Sequence, residues 1–155
     1  MKQEDKELLL QDLCGRILYG VKMNHIADTE NNPITLVGVA KTMITLESPA
    51  GYGTSDIEDY IPYLFPLSSM TEKQKKEFKE ISKCEYEIRD YSGFDSEGVY
   101  LIEIGKYEYE SDVDTTVEEF YFNYEIINWF NKNHFDYRGL IEKGLALDAT
   151  GLNIY

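Results

Sequence analysis

Hydrophobic side chains in this chain recur in short segments, some at period two and others at three- and four-residue spacing. No apolar run approaches the roughly 18 residues that a membrane span requires. A chain patterned this way is confined to short strands and short helices sharing a layered core. With 155 residues it can bury roughly two thirds of its unfolded surface, so one compact domain over 1–155 is expected. Hydrophobic residues at 43% and aromatics at 14% supply material for that core despite a formal net charge of −14.

The alternation places the elements. Lys2 to Cys14 reads as an amphipathic helix, with Leu9, Leu10, Leu13 and Cys14 at three- and four-residue spacing and Gly15 as its stop. Arg16 to Asn24 alternates as a strand. Asp28 to Pro33 is all turn formers, and the β-branched runs Ile34–Val39 and Thr42–Leu46 complete an antiparallel meander. Ser48 to Gly53 reads as a flexible loop. The two prolines of Asp56 to Pro66 forbid a long helix, yet the segment is apolar enough to pack across the sheet. Ser69 with Glu72 forms a capping box for a helix over Glu72–Lys83 around Phe78 and Ile81.

In the second half, Cys84, Tyr86 and Ile88 mark a half-exposed strand, Asp90 to Gly98 a loop, Val99 to Ile104 an apolar strand, and Lys106 to Asp114 an alternating one. Tyr121 to Asn133 reads as a helix, and a last short helix over Arg138–Lys143 should stop at Gly144. The fold class is therefore α+β: small antiparallel sheets, or one curved sheet, covered by three to four helices.

Charge limits the partners. With 29 acidic side chains against 15 basic ones, the long-range field repels polyanions, which excludes direct nucleic-acid binding and attachment to an anionic membrane surface. Met1 to Asp5 is charged and lacks the cationic-then-apolar pattern of a secretory signal, so the chain is expected to stay in the cytoplasm that makes it. Cys14 and Cys84 form neither a CxxC nor a histidine-flanked pair, and two reduced, partly buried thiols are expected.

Three phrases carry a resemblance: Asp12-Leu-Cys-Gly-Arg-Ile-Leu-Tyr-Gly-Val21, Pro62 to Phe78 (Pro-Tyr-Leu-Phe-Pro-Leu-Ser-Ser-Met-Thr-Glu-Lys-Gln-Lys-Lys-Glu-Phe), and Ile127 to Ala146 (Ile-Asn-Trp-Phe-Asn-Lys-Asn-His-Phe-Asp-Tyr-Arg-Gly-Leu-Ile-Glu-Lys-Gly-Leu-Ala). Together they cover about a third of the chain and resemble a family of small uncharacterised proteins carried by phages and prophages of gut bacteria. The resemblance implies a phage accessory gene, with counter-defence or host takeover as its natural role. It supplies no activity and no site residues, and Glu85 to Phe120 lies outside it.

Catalytic chemistry finds little support in the residues. His25 stands in a strand-to-turn passage, and His134 reads as a helix C-terminal residue favoured by the macrodipole. Neither cysteine has the electropositive setting that a thiolate nucleophile needs. Gly51-Tyr-Gly53 lacks the following helix and lysine of a phosphate loop. Asp112-Val-Asp114 opens like a calcium loop, but Val117 and Asn123 occupy the positions where glycine and glutamate are required. No catalytic residue, metal site or cofactor is expected.

Binding chemistry is better supplied. Between Asp95 and Glu125 ten carboxylates face one base, Lys106. On a strand, Glu108, Glu110, Asp112 and Asp114 would stand on one face at intervals of roughly 6.8 Å, as a row of phosphates does; the alternative is an edge strand kept soluble by charge. Tyr107, Tyr109 and Trp129 offer aromatic faces, and Arg138, with Arg16, Arg89 and the lysines of 72–83, offers cations. The expectation is a non-enzymatic binding protein acting on a host protein, or alternatively on a small nucleotide-like signal, with homo-oligomers allowed by a sheet edge; a small hydrolase or metal-dependent enzyme ranks lower.

Overall fold

The computed structural model describes residues 1–30, 32–82 and 124–155, and the backbone of 85–90 and 99–104. They group into two compact units, Met1–Pro66 with Phe130–Tyr155, and Leu67–Trp129.

The first unit opens with α1 (Gln3–Arg16), whose first turn carries Glu4 and Asp5 at the positive end of the helix dipole. Gly15 does not end it, contrary to the sequence expectation. A Cβ at Gly15 would lie 2.8 Å from Asn131 Nδ2, so this glycine permits a close approach rather than a stop. The helix passes into a single 3-10 turn, Ile17–Tyr19, and the left-handed residue that turns the chain is Gly20 (φ 66°). The strand expected over Arg16–Asn24 is accordingly shorter: β1 is Lys22–His25.

The remaining strands are β2 (Ile34–Val39), β3 (Met43–Ser48), β4 (Gly51–Asp56), β5 (Tyr60–Pro66), β8 (Phe135–Asp136) and β9 (Leu147–Asp148). With β1 they form a seven-stranded sheet in the order β4-β3-β2-β1-β5-β8, β9 also pairing with β5. Pairing is antiparallel except for β5 with β8 and β9. The loop expected at Ser48–Gly53 is therefore mostly strand, with only Pro49 and Ala50 as the turn, and the segment expected to lie across the sheet, 60–66, is a strand within it. β5 tolerates Pro62 because β8 and β9 engage only Tyr63 to Pro66, leaving β1 as its neighbour at that position.

Cross-strand partners share a face, so the register defines the core. Met23, Leu36, Ile44, Leu46 and Leu64 are buried with Leu9 and Leu13 of α1 and with Leu140 and Leu145. Each fully buried leucine contributes about 1.5–3 kcal/mol relative to an exposed one. Between β2 and β3 the register shifts from Leu36↔Leu46 to Gly38↔Thr45, leaving Val37 as a bulge. A Cβ on Gly38 would lie 2.9 Å from both Cβ and Oγ1 of Thr45, whereas one on Gly53 would meet nothing within 4 Å. Gly38→Ala is expected to lose about 1–3 kcal/mol and Gly53→Ala under about 1 kcal/mol, measured by urea unfolding. Equal losses would contradict this packing account.

The second unit contains α2 (Glu72–Ser82) and the antiparallel pair β6 (Glu85–Asp90) and β7 (Val99–Ile104). The cap of α2 is Thr71 rather than Ser69: Gln74 Oε1 accepts from Thr71 N at 2.9 Å, and Thr71 Oγ1 accepts from Gln74 N at 3.3 Å. α3 (Tyr124–Lys132) begins in this unit, where Trp129 packs on Phe78 with centroids 5.2 Å apart, and ends in the first. The helix expected over Arg138–Lys143 is instead a succession of turns, with Gly139 and Gly144 both at φ 68°. Three α-helices are present among the described residues. The α+β class holds, with a larger sheet than expected.

Candidate functional site

In α1, Asp12 and Arg16 stand four residues apart on the flank that also carries Leu9 and Leu13, so the helix that buries its leucines buries this pair as well. Both side chains are fully buried. Arg16 donates from Nε and Nη2 to the two Asp12 carboxylate oxygens at 2.6 and 2.9 Å, and Nη2 also donates to the Phe135 carbonyl at 2.8 Å. Arg138, its side chain 30% exposed, brings Nε to 3.5 Å from Asp12 Oδ1, an ion pair without a hydrogen bond.

One carboxylate thus serves two guanidinium groups, a cationic island in a chain of net charge −14. The Tyr137 ring lies 5.5 Å from the Arg16 guanidinium carbon and 5.1 Å from that of Arg138, within cation–π range of both. Phe130 stacks on Tyr137 at 5.2 Å. Arg16 Nη1 and Arg138 Nε are buried without a hydrogen-bond partner. Asp136 braces the following turn by accepting from the amides of Leu140 at 2.9 Å and Ile141 at 2.8 Å.

His134 lies beyond the helix rather than at its C-terminal dipole, in the left-handed region at φ 57°. Its ring stacks on Tyr155 at 3.8 Å, and its carbonyl accepts from Phe65 N at 2.8 Å. Burial, with the charges of Arg16 and Lys22 adding to it, pushes its pKa down to about 4. The Tyr155 hydroxyl donates to the Tyr63 carbonyl at 2.6 Å and accepts from Lys22 N at 3.2 Å, and burial pushes its pKa up to about 12.

The His134 shift has a stability consequence. Above pH 6.5 the imidazole is neutral in both the folded and the unfolded chain; between 6.5 and about 4 only the unfolded chain takes up the proton, so stability falls as pH falls through this window. The loss attributable to His134 is about 2–3 kcal/mol. His134→Asn does not titrate and tolerates the left-handed backbone, so the urea midpoint of this variant should drop less than that of the native chain between pH 7 and pH 4. Equal drops would contradict the assignment.

The other residues singled out in the sequence are placed as follows. Trp129 is buried in the second unit against Phe78, while Arg138 belongs to the first. Glu108, Glu110, Asp112, Asp114, Tyr107 and Tyr109 lie outside the described residues. Cys14 is exposed, which corrects the expectation of a partly buried thiol; Cys84 lies outside the described residues. His25 is held locally, its Nδ1 accepting from Ala27 N at 3.1 Å and its ring meeting Tyr60 edge-on at 5.0 Å.

Among the described residues no group of three or more His, Cys, Asp or Glu converges as a metal-ligand set, and no helix is long and apolar enough to cross a membrane. The buried Asp12–Arg16 pair went unnoticed in the sequence, although its four-residue spacing beside Leu9 and Leu13 was the available signal.

A second feature is the β3–β4 hairpin. Its residues 51–54 and Asp56 are exposed, and Tyr52 is 74% exposed. The Glu47 carboxylate, directly across the ladder, accepts a hydrogen bond from the Tyr52 hydroxyl and raises its pKa above the ordinary tyrosine value. No protein-family model, curated protein or solved structure matches this chain.

Proposed function

We propose that this chain is a non-enzymatic accessory binding protein of phage or prophage type, which works in the host cytoplasm by sequestering or blocking a host component through an acidic, aromatic-bearing surface. Counter-defence or host takeover is the role that fits it. The observation that carries this reading is the β3–β4 hairpin: a fully formed strand stands exposed with an aromatic side chain, Tyr52, hydrogen-bonded to the acid Glu47. Aromatic anchors with a charged rim are the usual equipment of a protein interface. The carboxylates between Asp95 and Glu125 extend the same character in sequence and favour a basic partner.

A second reading, a sponge for a nucleotide-like host signal, is supported by Arg138 alone, whose side chain is 30% exposed, because Arg16 is fully buried and held by Asp12; a cation at the surface suits the phosphate of such a ligand. Native mass spectrometry of the protein isolated from infected and uninfected host cells separates the two. A stoichiometric host protein is the expected result. A released small nucleotide would favour the sponge, and the bare chain alone in both preparations would overturn both readings.

A further inference from the structure

The two edges of the large sheet are built differently. On one side it ends in β8 and β9, two residues each, too short to template another strand. On the other, among the described residues, it ends in β4, six residues paired with β3 in unbroken register from Met43↔Asp56 to Ser48↔Gly51. β4 carries few of the usual guards of a free edge: its sequence Gly-Tyr-Gly-Thr-Ser-Asp holds no lysine, no proline and no bulge, and its one charge, Asp56, stands at its end.

The ladder shows which groups of β4 are unused. Ile57, just past the strand, donates its amide to the Thr42 carbonyl at 3.0 Å, so the odd-numbered residues face β3. By alternation Gly51, Gly53 and Ser55 bond to β3, and the amides and carbonyls of Tyr52, Thr54 and Asp56 point to the open side. Their side chains lie on one face beside those of Glu47, Thr45 and Met43.

Deepening the binding-protein reading, and resting on it, we propose that β4 is a strand-addition site that takes an extended, basic segment of a partner protein. Main-chain bonds to residues 52, 54 and 56 would supply affinity, and side-chain contacts on the Tyr52 face would supply selectivity. Charge selects the occupant. The hairpin from Met43 to Asp56 contains two acids, Glu47 and Asp56, and no base, and the chain as a whole carries −14. Lys6 lies 3.8 Å from Asp56 but is held more closely by Glu58, at 2.6 Å. A second copy of this chain would bring the same negative charge to the edge, whereas an incoming lysine-rich strand would be drawn to it.

The test is amide hydrogen exchange of the full chain with a synthetic peptide of alternating lysine and valine. The expected result is about tenfold or greater slowing at Tyr52, Thr54 and Asp56, with Gly51, Gly53 and Ser55 little changed, and no effect from the glutamate–valine counterpart. Thr54→Pro removes one outward amide without touching the ladder to β3 and should abolish the protection. Glu47→Lys, independent of any folding defect in the proline variant, should weaken peptide binding about threefold or more.

Protection lacking this alternation, no protection, or unchanged binding by Thr54→Pro would overturn the assignment. So would the same three amides being protected without peptide in a dimeric species, which would give the edge to a second copy. A host protein that co-purifies equally with native chain and Thr54→Pro would sink the β4 site while leaving the binding-protein reading standing. Alternating protection with no host protein ever recovered would support the site and count against that reading.

Discussion

Asp12→Ala is expected to lose about 3–5 kcal/mol of stability, a large part of what a domain of this size possesses. The reason is asymmetric: the alanine removes the partner of Arg16 Nε and one acceptor of Nη2, yet leaves a guanidinium that is fully buried. Arg138 then stands beside Arg16 with no carboxylate between them. Replacing both members, Asp12→Leu with Arg16→Met, should recover most of the loss, since apolar side chains of similar volume need no counter-charge. Urea unfolding of the two variants and the native chain checks both statements. A single-variant loss under about 1 kcal/mol would show that water reaches the pair.

Asp136→Ala comes next, with an expected loss of about 2–4 kcal/mol. Its carboxylate accepts from the amides of Leu140 and Ile141, which lead into the turn that the sequence had suggested would be a helix. Without it, amides next to the buried Leu140 lose their acceptor, and the core contact that Leu140 makes is loosened with them. Asp136→Asn keeps one acceptor oxygen and should lose roughly half as much. Indistinguishable alanine and asparagine variants would contradict the bracing role.

What was legible in the sequence follows from how each element is buried. α1, β2, β3 and α2 each bury one flank, so their apolar residues keep a period that can be read. β5 is a run of apolar residues with Pro62, Tyr63 and Leu64 all buried, so alternation vanishes there. β4 fails for the opposite reason: its core-side positions are Gly51, Gly53 and Ser55, and only its pairing with β3 through the short turn at Pro49-Ala50 makes it a strand. The Arg138 turns resemble a helix in composition but are organised by Asp136 and two left-handed glycines, a side-chain device with no hydrophobic period.

The candidate site divides the same way. Arg138 was named from the sequence as a cation, and the structure supplies its neighbours, Asp12 and Tyr137, more than a hundred residues and one residue away respectively. Such a pairing depends on the sheet that brings α1 to β8, which no local pattern encodes. Trp129, named for its aromatic face, spends that face on Phe78.

The proposal that this acidic chain binds a host protein is tested most directly by the association rate of any host protein that co-purifies with it as ionic strength is raised from about 0.05 to 0.5 M, where the screening length shrinks from roughly 14 to 4 Å. Steering by the carboxylates predicts a slowing of about tenfold or more, and a much weaker dependence when Glu108, Glu110, Asp112 and Asp114 are all changed to amides. An association rate that ignores salt, or a salt dependence unchanged in the amide variant, would contradict the account.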